Sequence, residues 1–147
     1  FNCVVAESTD SDDSIYYTQA IAYSLPPQTV TLLRWQSDYF EESGYTPEKR
    51  CKEVAPRFQE AYDNGSLTYI TNGRMNNQPV ICTSTEEGVC EDLLFTLRPE
   101  FDKPESIVRQ LRSGLKGKTI GNIPQGDGED QIIIEVTLSE TFGLPPK

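Results

Sequence analysis

Histidine is missing from these 147 residues, and with it the side chain that most often serves as general base near neutral pH. A serine or cysteine nucleophile would have no imidazole to activate it. Cationic residues are also scarce. Thirteen lysines and arginines face 23 acids, for a net charge of −10. The deficit is −6 over residues 1–65 and −4 over the rest, so no half of the chain is basic. Such a molecule repels phosphate backbones, which excludes nucleic acid as a partner. Long apolar runs are absent too. Ile132-Ile133-Ile134 and Leu93-Leu94-Phe95 are far short of the roughly 20 residues that a spanning helix needs, so no transmembrane segment is expected.

The four cysteines, Cys3, Cys51, Cys82 and Cys90, contain no Cys-x-x-Cys pair. A zinc site without histidine would need all four as thiolates, and such sites bring ligands in close pairs. Two disulfides are the better reading, and they place the chain in an oxidising compartment: periplasm, thylakoid lumen or the exterior. Four cysteines allow three pairings. Cys82 and Cys90 bracket a seven-residue loop between two strand-like runs, as a hairpin bond would. That leaves Cys3 with Cys51. The first residues lack the basic and apolar regions of a signal peptide, and a chain opening on Phe1 reads as already processed or truncated.

Secondary structure follows from periodicity. Strands are expected at the start, around Cys3, at Ile15 to Tyr23 and at Thr29 to Trp35. Thr46 is a good N-cap and Pro47 suits the first helical position. Cys51, Val54, Phe58 and Ala61 then follow helical spacing, while Arg50, Glu53, Arg57 and Glu60 fall on other faces. Gly65 supplies the stop, and Pro56 should kink or weaken the helix. Three strands follow, separated by "NGRMNN" and "TEEG", with Leu93, Phe95 and Leu97 alternating onto one face. A second helix from Pro104 carries the apolar stripe Ile107, Val108, Leu111 and Leu115, with Arg109, Arg112 and Lys116 on another face. A Gly-rich acidic loop leads to a last strand, Ile132 to Leu138. The expected fold is a single α+β domain over residues 1–140 with a tail at 141–147. It has an antiparallel sheet of about five or six strands carrying two helices on one face, stapled by two disulfides.

Several of these residues form a pattern. It comprises Phe1-x-Cys3, Arg34-Trp35, "GYTPEKRC" (44–51), Arg57-Phe58, "GSLTYITNGRMNNQPVIC" (65–82), Cys90 and "LFTLRPEFD" (94–102). The pattern resembles the cyanobacterial circadian-oscillating-protein domain, the COP family, over about residues 1–115. The resemblance implies an exported cyanobacterial protein; the family's founding member looks like a peripheral membrane protein whose abundance oscillates daily. It implies no catalytic residues.

Other chemistry finds little footing. The carboxylate pairs Asp12-Asp13, Glu41-Glu42 and Glu86-Glu87 read as solvated surface rather than a hydrolase. "SGLKGKT" (113–119) has the wrong spacing for a phosphate loop and follows a helix where a strand is required. The acidic loops at Asp10, Asp12 and Asp13, and at Asp127, Glu129 and Asp130, do not fit the calcium-loop pattern. No metal, cofactor or catalytic residue is expected. The remaining candidate is an aromatic cluster, Trp35, Tyr39, Phe40 and Tyr45, which would suit a partner or sugar if exposed. The sequence thus reads as a non-catalytic, exported interaction module that meets a protein partner at a membrane or envelope. The alternative is a carbohydrate-binding module built on the Trp35 cluster.

Overall fold

The computed structural model describes residues 1–7, 14–22, 28–36, 46–98, 102–123 and 130–137. In chain order the elements are β1 (Asn2–Glu7), β2 (Ser14–Ala22), β3 (Gln28–Gln36), α1 (Pro47–Asn64), β4 (Tyr69–Met75), β5 (Gln78–Ser84), β6 (Asp92–Thr96), α2 (Pro104–Leu115), β7 (Lys118–Ile123) and β8 (Gln131–Glu135). Among the described residues they form one small α+β domain with two helices and antiparallel pairing between all neighbouring strands. The strands divide into two sheets, β1-β2-β3 and β6-β5-β4-β8-β7, rather than one. A single cluster of buried side chains takes Leu32 and Leu33 from the first sheet and Ile70, Ile81 and Ile134 from the second. It also takes Val54, Phe58, Leu111 and Leu115 from the helices. The two sheets therefore share one core, with both helices packed into it.

Helix α1 starts and stops for local reasons. Thr46 has extended backbone and its Oγ1 accepts from the Lys49 amide at 3.2 Å. At the other end Gly65 takes φ 86°, which lets the Gly65 and Leu67 amides return to the Tyr62 and Ala61 carbonyls. The helix runs unbroken through Pro56. Pro56 is exposed, so the Lys52 carbonyl that loses its amide partner can be hydrated on the solvent side. Cys51 is fully buried, in line with Val54 and Phe58, and is bonded to Cys3 with Cα atoms 5.6 Å apart. Phe1 stacks on Phe58 with centroids 5.4 Å apart, so β1 is held to α1 by packing as well as by the bond. Arg50, expected on another face, is buried instead, because a carboxylate meets it there.

The β4–β5 hairpin is tighter than its polar sequence suggested. The strand continues through Asn72-Gly73-Arg74-Met75, and the turn is only Asn76-Asn77. Both residues have positive φ, 53° and 64°, as the two-residue turn that matches strand twist demands, and asparagine tolerates that region. Asn72 then acts as a length of backbone. Its Oδ1 accepts from the Ile132 amide at 2.8 Å and its Nδ2 donates to the Asp130 carbonyl at 3.0 Å, extending the β4–β8 ladder by side chain. Gly73 lies against the second disulfide, Cys82–Cys90.

Three register shifts decide which apolar residues go inside. Pairing skips Leu32 in β3, Leu94 in β6 and Ile120 in β7. The extra residue at a bulge re-aims its neighbours. Leu32 and Leu33 are consequently both buried, as are Leu94 and Phe95. The expected alternation of Leu93, Phe95 and Leu97 is broken, with Leu93 only half-buried. Strand β7 was not expected at all; it is an exposed edge interrupted by Gly121.

The two disulfides mark an oxidising, extracytoplasmic environment. No helix among the described residues is long and apolar enough to cross a membrane. Cys51→Ser should lower stability by about 2–5 kcal/mol, since the bond closes a 48-residue separation in the unfolded chain. Thr46→Ala should cost about 1 kcal/mol. Guanidinium unfolding of both variants checks the order; equal losses, or free thiols in the native protein, would contradict it.

Candidate functional site

Trp35 closes a charged centre inside the core. Its indole is 6 % exposed, meets Phe95 edge-on with centroids 5.2 Å apart, and donates through Nε1 to the buried Thr18 hydroxyl at 2.9 Å. The Arg50 guanidinium lies over the ring, 4.7 Å from its centroid. Trp35 is thus a packing residue and offers no face to an external ligand. Tyr39, Phe40 and Tyr45, expected to join it, lie outside the described residues, as do Asp10, Asp12, Asp13, Asp127 and Glu129. Asp130 is described only as an exposed residue whose carbonyl holds Asn72. Among the described residues no cluster of three or more histidines, cysteines or acids is placed to hold a metal.

Asp102 is the anion that the centre is built around. Arg50 bonds it through two nitrogens, Nη2 at 2.8 Å and Nη1 at 3.3 Å. Arg98 adds its Nη2 at 3.2 Å and its backbone amide at 2.7 Å. Arg50 also donates to the Thr96 carbonyl. The pair is buried on both sides, at 7 % and 8 % side-chain exposure. Burial pushes the Asp102 carboxyl up, but the hydrogen bonds from Arg98 and Arg50 and the Arg50 charge outweigh it, holding the group below the usual carboxylate range. Two guanidinium forks saturate the carboxylate. It is in no position to take up a substrate proton. This is structural chemistry.

The remaining arginines of the sequence pattern divide cleanly. Arg57 donates to the Leu94 carbonyl at 2.9 Å and Arg74 to the Asn77 carbonyl at 3.3 Å, so each holds backbone. Among the described residues Arg34 holds neither backbone nor acid through its side chain. Strand alternation turns it outward between buried Leu33 and Trp35. There it lines an open groove of about 400 Å³ between β3 and α2, facing Arg109, Ser106, Gln110 and Ser113. The groove's floor is set by Gly114. A Cβ at that position would lie 2.4 Å from the Thr31 carbonyl oxygen, so only glycine lets the helix lie this close to β3.

Next to Arg109 on the same side of α2 lies Arg112, whose Nη1 donates to Thr119 Oγ1 at 2.9 Å. Lys116 and Lys118 follow, both exposed. Five cations therefore run from β3 across α2 to β7. Among the described residues their acidic neighbours are Glu105, paired with Arg109 at 2.8 Å, and Glu135, opposite Lys118 in the ladder. On a chain of net charge −10 this is a local reversal of sign. Sequence reading found the helix cations but not Arg34, which only the fold brings to them.

The charged centre has a definite acid response. Asp102's folded pKa lies below its unfolded value of about 3.9. Its contribution is therefore complete above that value and lost as pH falls through the folded pKa. The Tm difference between wild type and Asp102→Asn should be constant from about pH 5 to 8 and shrink below about pH 4. A difference independent of pH down to about pH 2 would contradict the paired, ionised Asp102.

The comparison with known proteins agrees with the sequence pattern. No curated protein and no solved structure matches the chain significantly. Residues 1–142 match the family described as circadian oscillating protein COP23. That span takes in the cysteines, Arg34 and Trp35, the capped α1 and the Arg50–Asp102 centre, and the chain belongs to the circadian oscillating protein COP23 family.

Proposed function

We propose that this protein is a non-catalytic interaction module of an oxidising compartment that docks on a protein partner at a membrane or envelope surface. The observation that carries this reading is the cationic strip of Arg34, Arg109, Arg112, Lys116 and Lys118 on an otherwise acidic molecule. A patch opposed in sign to the whole molecule does not promote solubility; it orients the molecule toward a complementary surface. The interior supports the same reading. Every buried side-chain nitrogen and oxygen among the described residues has a hydrogen-bond partner, so the polar core is committed to holding shape. The disulfides and the buried ion centre fix the strip on a stiff frame, which lowers the entropy lost on binding.

Lipid attraction alone is a poor substitute for a protein partner. About 1 kcal/mol per surface cation is available from an anionic leaflet, but the net charge of −10 opposes approach. Carbohydrate recognition would have to rest on Tyr39, Phe40 and Tyr45 without Trp35, and no described feature favours it.

Co-sedimentation with the host's native membrane vesicles tests the proposal. Binding should saturate, fall with salt, and disappear when the vesicles are first shaved with protease. Vesicles made from the extracted lipids, without divalent cations, should not bind. Equal binding to protein-free vesicles, or no binding to native ones, would overturn it.

A further inference from the structure

The groove between β3 and α2 points to what the strip recognises. We propose that Arg34 and Arg109 form a carboxylate-binding cleft that receives an extended, acidic polypeptide segment; this rests on the interaction-module reading. Three observations converge. The two guanidiniums belong to different elements, β3 and α2, and line one groove together with the hydroxyls of Ser106 and Ser113. Arg34's side chain has no hydrogen-bond or ionic partner among the described residues. Arg109's partner is weakly held: it and Glu105 are 61 % and 60 % exposed and belong to one helix. Exposed pairs of this spacing are weak, so an incoming carboxylate can displace Glu105.

The length of the strip argues for a chain rather than a lone anion. From Arg34 the cations continue to Arg109, Arg112 and Lys116, which follow one side of α2 over about 10 Å of helix rise, and on to Lys118. One phosphate cannot reach both ends. Several carboxylates along an extended segment can, each meeting a planar fork or an ammonium. Gln110 is already engaged: its Oε1 accepts the Arg34 amide at 3.4 Å, which holds α2 at the strand. Positioning is therefore built in before any ligand arrives.

A fluorescein-labelled hexaglutamate peptide titrated into the full chain at low and physiological salt tests the cleft. Binding is expected, weakening with salt. Arg34→Ala and Arg109→Ala should each weaken it roughly tenfold, as loss of a charge-assisted hydrogen bond does. Glu105→Gln should tighten it roughly twofold by removing the competing carboxylate. All three positions are exposed, and unchanged thermal melts would exclude misfolding as the cause. Unaltered affinity in Arg34→Ala, or weaker binding in Glu105→Gln, would overturn the proposal. Displacement of the peptide by equimolar inorganic phosphate, or by phosphatidylglycerol vesicles, would reassign the cleft to a small anion or a lipid and overturn it too. If the peptide fails while protease-sensitive membrane binding persists, the cleft falls and the module reading stands. The converse result removes the module reading alone.

Discussion

The ion pair between Arg50 and Asp102 is the contact on which the arrangement of this molecule turns. Arg50 lies in the first turn of α1, and Asp102 lies just before α2. Arg98 joins from beyond the end of β6, and Trp35 of β3 covers the guanidinium. One buried carboxylate thus gathers both helices and a strand from each sheet. Desolvating the pair costs several kcal/mol per ion unless the geometry is good. Here the two guanidiniums satisfy the carboxylate, and Arg50 spends a remaining donor on the Thr96 carbonyl. Such a centre specifies one arrangement, since any slip of α1 along the core would leave a charge buried and unpaired.

Position of the outward surface follows from that fixed interior. The residue after Arg50 is Cys51, whose bond to Cys3 ties α1 to the first sheet. The residues after Asp102 lead directly into α2, whose Gly114 then seats against Thr31 of the same sheet. Arg34 leaves the core as the neighbour of Trp35. The groove on α2 is therefore a consequence of the ion centre on the other side of β3. A rigid frame of this kind suits recognition by preformed contacts.

Where a local rule dominated, the sequence was readable. Thr46-Pro47 announced α1, Gly65 ended it, and the stripe from Ile107 to Leu115 placed α2 with its buried face correct. The hairpin position of Cys82 and Cys90 sufficed to pair all four cysteines. What escaped was decided by tertiary partners. Arg50 is polar and was read as outward, but a carboxylate 52 residues away stabilises it inside. Asn72-Gly73 resembles a turn, yet Asn72 replaces two backbone partners of the β4–β8 ladder and so keeps this stretch in a strand. The bulges at Leu32, Leu94 and Ile120 broke the period-two pattern from which faces are read. Trp35 was counted with an aromatic cluster, and nothing in its neighbours along the chain reveals that Thr18, Arg50 and Phe95 surround it. The link of Arg34 to Arg109 spans 75 positions and has no local signal.

The most direct measurement of the central claim is a double-mutant cycle at Arg50 and Asp102, followed by guanidinium unfolding. Asp102→Leu should cost about 3–5 kcal/mol, because it leaves the Arg50 and Arg98 guanidiniums without their carboxylate, and Arg50→Met should cost less, because Arg98 still holds Asp102. The double variant should cost less than the sum of the two losses, because Arg50 is no longer buried without its anion while Arg98 lacks its carboxylate wherever Asp102 is replaced, giving a coupling energy of about 1–3 kcal/mol. Additive losses, with no recovery in the double variant, would show that the two residues act independently and that the pair does not organise the fold.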